Sequence, residues 1–495
     1  MKTNATKILL WETRLNDVQK DFAGGMGVGM HPGTGGVRGK IVQRMCRRDY
    51  RPTALNFAYL VAILKKLGHE VTYHLESKNE TSAPAADVYI FNPALISLAS
   101  EIAAIKRIEK AQPSAKILVV GQVAFAMAES FADTRATVVQ GEPEQLLWKW
   151  DDVMQTTEPT ISVGSVADLD SLPMPDWSLF NYKKFRINYD FWRFPTAFIQ
   201  QSRGCTFKCN YCPYIMIESK TRFRDPLAVV DEMTYSMERY GFPSFKFRDP
   251  LFGLNRKKVL AMVDAIGRMK KKVQFSIETR VDLMREETLR ALKSVGLTSI
   301  TIGIETPDEA TLKQYSRVAI NDDRQRGFVE LCRRLGIRSV AGFMVGFPHD
   351  TRESILDVLN YARKVNPTFA NFNIVTPYPG TGFYEEVKDQ IADFDYSKYS
   401  VYEPVMKYEN LSLEEVRDLH GLCFSKYYFR SRYFHDNALL LWPQLRRFVP
   451  RKFQEEALAS SQPMAAVADS AVAGSAPAAK DSSLPVIQGN RSNAA

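Results

Sequence analysis

The chain has 495 residues, 45% of them hydrophobic, which suits two or three globular domains and excludes a wholly disordered chain. Six cysteines are too few for a disulfide framework at this length, and three of them crowd together, a pattern of metal binding in a reducing cytosol. The formal charge of +9 comes with no recognised nucleic-acid motif, so it suits anionic small molecules, acidic lipids or an acidic electron donor, and no nucleic acid is expected.

The N-terminus leads directly into Ile8-Leu9-Leu10-Trp11, read as a strand. We read no signal-peptide stretch and no run near the roughly 20 apolar residues that span a bilayer, so the expected location is cytoplasmic. A glycine-rich loop over 24–36 follows. It spells neither a dinucleotide turn nor a phosphate loop: Thr34 stands where the upstream glycine is needed, and Ile41 replaces the magnesium-binding Ser or Thr. It reads as a mobile loop over a ligand, with His31 a loop residue. Its basic continuation, Arg38, Lys40, Arg44, Arg47, Arg48 and Arg51, is either an attractor for an anionic substrate or a solvated face. Cys46 in that basic loop is given no role.

A helix over 53–67, strands at Glu70-Val71-Thr72-Tyr73-His74 and Asp87-Val88-Tyr89-Ile90-Phe91, and a helix over 98–110 come next. Strands at Lys116-Ile117-Leu118-Val119-Val120 and Thr137-Val138-Val139 follow, the last running into Gln140-Gly141-Glu142-Pro143-Glu144. Short apolar strands alternating with helices predict an α/β, doubly wound parallel sheet, Rossmann-like, over 1–157. Such sheets bind ligands beyond the carboxyl ends of their strands. Residues 158–190 read as a linker, because Leu172-Pro173-Met174-Pro175-Asp176-Trp177 cannot continue a helix.

The run Gly204-Cys205-Thr206-Phe207-Lys208-Cys209-Asn210-Tyr211-Cys212 then concentrates three thiols in one loop. Three thiolates can hold a 4Fe–4S cluster with one iron open, which implies chemistry at that iron. They can also form part of a zinc site with a fourth ligand from elsewhere, or remain free. Strands near Phe198, Phe245, Phe275, Ile300, Val340 and Asn373 repeat at strand–helix separations and predict a partial (β/α)6 barrel over 191–405.

The cysteine spacing, with Tyr211 before the third thiol, resembles the radical S-adenosylmethionine (SAM) superfamily. The strand ends Lys246-Phe247-Arg248-Asp249, Gln274 to Asp282, Ile300-Thr301-Ile302-Gly303-Ile304-Glu305 and Val340-Ala341-Gly342-Phe343-Met344-Val345-Gly346 resemble that family's strands in order. The resemblance implies that Cys205, Cys209 and Cys212 bind a 4Fe–4S cluster. It implies SAM contacts from Asp249 at the amine, Arg280 at the carboxylate, Gly303 and Glu305 at the ribose, and Gly346 and Tyr211 at the adenine. Met344 and His349 depart from the family's usual residues. A structural ion-pair network is the bland alternative for Glu278, Arg280 and Glu305.

A doubly wound domain ahead of such a barrel resembles the cobalamin-binding radical SAM enzymes, which implies cobalamin contacts at Gly121, Gly141 and Glu142. No Asp-x-His-x-x-Gly loop is present, so a histidine ligand to cobalt is not expected. Over 406–456 a helical region mixes aromatic and basic residues, from Lys426-Tyr427-Tyr428-Phe429-Arg430 onwards. It reads as a cap on the barrel, with peripheral membrane contact as a lesser reading. Residues 457–495 read as a disordered tail.

Together these features imply cobalamin-dependent methylation of an unactivated carbon in a small-molecule or lipid-like substrate, with an external electron donor such as flavodoxin or ferredoxin. Ring formation or rearrangement without methyl transfer is the enzymatic alternative, and a zinc-stabilised binding protein the non-catalytic one.

Overall fold

Two six-stranded sheets, each wholly parallel, carry the chain. The computed structural model describes residues 5–13, 20, 23–29, 33, 36–46, 50–77, 80–187, 189–215 and 220–445. His31, Arg47, Arg48 and the expected tail over 457–495 lie outside the described residues.

The first sheet contains β1 (Lys7–Glu12), β2 (Glu70–Leu75), β3 (Val88–Phe91), β4 (Lys116–Val119), β5 (Thr137–Gly141) and β6 (Thr160–Gly164). Its order is β2-β1-β3-β4-β5-β6. Every residue of β3 is buried, as a central parallel strand covered on both faces requires. Helices α1 (Gly36–Cys46), α2 (Leu55–Lys66), α3 (Leu98–Ala111), α4 (Gln122–Ala126) and α5 (Leu146–Gln155) connect these strands. The strand order reverses between β1 and β3, which places a ligand crevice at their carboxyl ends.

Two sequence expectations change here. β6 lies inside the segment read as linker and extends the sheet to Gly164. It is an edge strand in which only Val163 is buried, so it lacks the apolar run that marked its neighbours. The basic segment read as a loop is helix α1; Gly36 and Gly39, poor helix formers, hid it.

The second sheet contains β7 (Thr196–Ile199), then, after a small antiparallel pair β8 (Ser202–Arg203) and β9 (Arg222–Phe223), β10 (Ser244–Phe247), β11 (Gln274–Thr279), β12 (Leu297–Glu305), β13 (Arg338–Val345) and β14 (Phe369–Ile374). The large strands neighbour one another in chain order, β7 and β14 forming open edges, so the barrel is partial. Helices α6 (Pro226–Tyr240), α7 (Arg256–Gly267), α8 (Glu286–Ser294), α9 (Glu309–Gln314), α10 (Asp322–Arg334) and α11 (Arg352–Val365) lie between them. Local chemistry sets these ends. Asp225 caps α6 by accepting from the Leu227 amide, Pro226 opens it, and Gly241 closes it in the left-handed region.

Asp190 plugs the base of the barrel. It is fully buried, pairs with Lys246 at 3.0 Å, and accepts from Thr298 Oγ1 through its carbonyl at 2.8 Å. Helices α12 (Gly382–Val387), α13 (Leu413–Tyr428) and α14 (Ser431–Leu445) complete the described chain. The Tyr428 hydroxyl accepts from the Ala370 amide at 3.1 Å and donates to the Ala370 carbonyl at 2.8 Å. Tyr433 donates to the Thr368 carbonyl at 2.7 Å. These aromatics turn inward and satisfy backbone groups at the free edge of β14. Among the described residues no helix is long and apolar enough to cross a membrane.

The carboxyl ends of the two sheets share one apolar cluster. Trp11, Met26 and Phe91 from the first side join Met344, Phe347, Tyr378 and Tyr399 from the second. The described part of the glycine-rich loop, 23–29, takes part in this contact. The Met26 carbonyl accepts from the Leu95 amide at 2.8 Å, and Tyr378 donates to the Gly27 carbonyl at 3.4 Å. A side chain at Gly24 would stand 2.9 Å from the Tyr214 backbone, so glycine is needed for the approach.

Candidate active site

The three sequence-predicted thiols lie on the loop between β8 and β9. Cys209 is buried, Cys205 and Cys212 half-buried. The loop tip is tethered twice: Asn210 donates its amide to the Tyr315 carbonyl at 3.3 Å and accepts from the Phe383 amide at 3.0 Å. A cubane takes each cysteine on a separate iron, so three thiols leave one iron open. Burial pushes the Cys212 thiol up to about 12, with repulsion from Cys209 and Cys205 adding to it. Burial also raises Cys205, against the pull of Arg317 and Arg280. Burial disfavours bare thiolates at Cys205 and Cys212, a cost that a bound cation offsets, and the donor set fits a metal cluster.

Around this loop the expected SAM residues converge in part. Arg280 lies over the Phe207 ring at 4.3 Å and forks onto Asp282, with two hydrogen bonds of 3.0 Å. Its buried Nη1 has no partner among the described residues, leaving a guanidinium edge for a carboxylate. Tyr211 likewise buries an unpartnered hydroxyl beside the cysteines. Burial and the nearby Glu305 carboxylate keep that phenol protonated.

At the end of β12 the ladder to β13 shifts register between Gly303 and Glu305, and Glu305 adopts a positive φ of 73°. A non-glycine residue in that region is strained, and such strain clusters at functional sites. The strain turns Glu305 toward Arg317, with an oxygen–nitrogen distance of 3.1 Å. Burial raises the Glu305 carboxyl, opposed first by Arg317 and then by Arg280. Gly303 leaves room for this pair: a Cβ there would lie 2.3 Å from Glu305 Oε1 and 2.8 Å from Arg317 Nη2.

Sequence reasoning missed Arg317. It donates to the Gly303 carbonyl at 2.8 Å and approaches Cys209 Sγ at 3.9 Å, joining the cluster loop to β12. It follows α9 in a stretch without motif or periodicity, so only folding reveals it. Tyr214 was missed as well; its hydroxyl accepts from Arg248 at 3.2 Å.

The other expected residues make contacts within the protein. Asp249 is buried at the end of β10, where its oxygens accept from the Gln201 amide at 3.0 Å and Ser202 Oγ at 2.6 Å. It anchors the chain entering the cluster loop, and burial pushes its carboxyl up to about 6. Gly346 turns the chain after β13 at a φ of 77°, its amide donating to Asp350 at 2.7 Å. Glu278 belongs to the bland reading: it pairs with Arg248 at 2.8 Å and Lys246 at 3.4 Å inside the barrel.

The three residues expected at cobalamin make close contacts within the protein. A Cβ on Gly121 would meet Asn92 Oδ1 at 2.1 Å, and one on Gly141 would meet the Gly164 carbonyl at 2.4 Å. The Glu142 carboxylate accepts from Arg222 at 2.9 and 2.6 Å and from the Val166 amide at 2.7 Å.

Residues 199–362 match the family model described as the Radical SAM superfamily. The chain thus carries a radical SAM domain, of the family that uses a 4Fe–4S cluster and SAM. Beyond that domain, the fold is that of a solved radical SAM methyltransferase, TsrM from Kitasatospora setae with cobalamin and a 4Fe–4S cluster bound. The two superpose with a TM-score of 0.56 at 14% identity, covering 79% of each chain. An anaerobic magnesium-protoporphyrin IX monomethyl ester cyclase of Cereibacter sphaeroides is 30% identical over 312 residues, 62% of this chain and 49% of that protein. A hopanoid C-3 methylase of Methylococcus capsulatus is 25% identical over 247 residues, 49% of this chain and 46% of that protein. The chain spans about half the length of the curated relatives it matches.

Proposed function

We propose that this chain is a radical SAM enzyme that methylates an unactivated carbon of a small-molecule or lipid-like substrate, with cobalamin as methyl carrier. The observation that carries the radical SAM reading is the convergence of Cys205, Cys209 and Cys212 with the free edge of Arg280 and the strained Glu305–Arg317 corner. A 4Fe–4S cluster held by these thiols would supply the electron for reductive cleavage of SAM. Cys205, Cys209 and Cys212 would be its ligands. Arg280 Nη1 receives the SAM carboxylate, and Glu305 accepts from the ribose hydroxyls. Tyr211 packs at the adenine edge, while Gly303 keeps the backbone close. The apolar cluster of Met344, Phe347, Tyr378 and Tyr399 keeps water from the carboxyl ends of the strands.

Cobalamin and methyl transfer rest on the fold likeness and on the methylase among the relatives. The cyclase relative favours a second reading, ring formation without methyl transfer. Electrons come from an external donor such as flavodoxin or ferredoxin. The test is anaerobic reconstitution with iron, sulfide and hydroxocobalamin, followed by desalting and absorption spectroscopy. Iron–sulfur absorption with retained corrin bands supports the two-cofactor reading. Cluster absorption without corrin removes cobalamin-dependent methylation, and no cluster removes the radical SAM reading. Product mass then separates gain of a methyl group from loss of hydrogens.

A further inference from the structure

The flanks of the cluster loop carry a charge network that lies apart from the SAM residues. In the β8–β9 pair Arg203 stands opposite Arg222, so two arginines sit side by side at the base of the loop. Both reach the acidic turn that ends β5 in the first sheet. Arg222 forks onto Glu142, at 2.9 Å from Nη1 and 2.6 Å from Nη2. Arg203 reaches Glu144 at 2.7 Å and Glu142 at 3.5 Å. None of these four side chains is more than 12% exposed.

A second layer backs the first. Arg224, just beyond β9, pairs with Asp170 at 3.0 Å and Glu232 at 2.7 Å. Glu232 also accepts from Tyr59 of α2 at 3.0 Å. Three arginines from the loop flank therefore meet carboxylates from the first domain, the connecting segment and α6. Buried ion pairs add little net stability, but a two-point guanidinium–carboxylate fork fixes geometry closely. Glu142 stays below the usual carboxylate range because Arg222 and Arg203 outweigh its burial.

We propose that Glu142 and Glu144 are positioning residues for the cluster loop: by gripping Arg222 and Arg203, the first domain sets where Cys205, Cys209 and Cys212 stand. The consequence for the cluster rests on the reading above that these cysteines hold one; the clamp itself does not. The first experiment compares hydrogen–deuterium exchange in the full-length anaerobic apoprotein, wild type against Glu142→Gln/Glu144→Gln. The expected result is exchange about tenfold faster at the amides of 204–215, with 88–91 and 116–119 unchanged. Loop exchange that stays the same, or rises only in step with those strands, overturns the clamp.

The second experiment loads both proteins with iron and sulfide and records the electron paramagnetic resonance spectrum of the reduced cluster before and after adding SAM. The variant is expected to keep its iron content but show a broadened signal with a smaller response to SAM. A wild-type response overturns the positioning role. A wild type that loads no cluster defeats the cluster reading, while the exchange comparison still decides the clamp.

Discussion

Burial of Asp249 makes a pH-dependent prediction. The carboxyl is inaccessible to water, and burial pushes it from 3.8 up to about 6 despite its bonds to Ser202 and the Gln201 amide. A raised folded-state value means the fold binds the proton more tightly than the unfolded chain. This contribution to stability is full below 3.8 and is lost as pH rises through about 6. The whole loss is about 3 kcal/mol, of which roughly 1.4 kcal/mol falls between about pH 5 and pH 7.5. Asp249→Asn removes the titration. The amide oxygen accepts one of the two donors and the amide nitrogen opposes the other, a pH-independent cost of about 1–3 kcal/mol. Urea unfolding of the anaerobic apoprotein, followed by tryptophan fluorescence, is the assay. The stability of the variant minus that of the wild type should rise by roughly 1.4 kcal/mol from about pH 5 to pH 7.5. Parallel curves would refute a charged, buried Asp249 at neutral pH.

Other substitutions test separate parts of the site. Cys205→Ala should abolish retention of iron and sulfide after desalting while circular dichroism stays unchanged; wild-type iron content would remove Cys205 from the cluster. Gly303→Ala sets a methyl group 2.3 Å from Glu305 Oε1 and parts the Glu305–Arg317 pair. SAM affinity of the reconstituted protein should weaken about tenfold or more by calorimetry, and an unchanged affinity would separate this corner from SAM. Gly141→Ala strains a φ of 128° and meets the Gly164 carbonyl, so the urea midpoint should fall by the equivalent of about 1–3 kcal/mol. No change there would contradict the close approach of β5 and β6.

The sequence by itself determined both parallel sheets and the cluster loop. Apolar runs such as Val88-Tyr89-Ile90-Phe91 mark a strand buried on both faces, and three cysteines within one loop restrict the chemistry to metal or thiol. β6 and α1 escaped because a half-exposed edge strand and a helix with two glycines give weak periodicity. The tertiary structure decided what each polar residue faces. Glu142 and Arg222 are eighty positions apart and form a fork only when the two sheets meet. Arg317 reaches Cys209 only through the turn after α9. Asp249 meets Ser202 only because β10 and the chain before the cysteine loop lie side by side. Hydrophobic periodicity is a local property of the chain, so it can be read along the sequence. The partner of a buried charge is chosen by the packing of distant elements, because desolvation makes that charge require whichever opposite group the fold brings within reach.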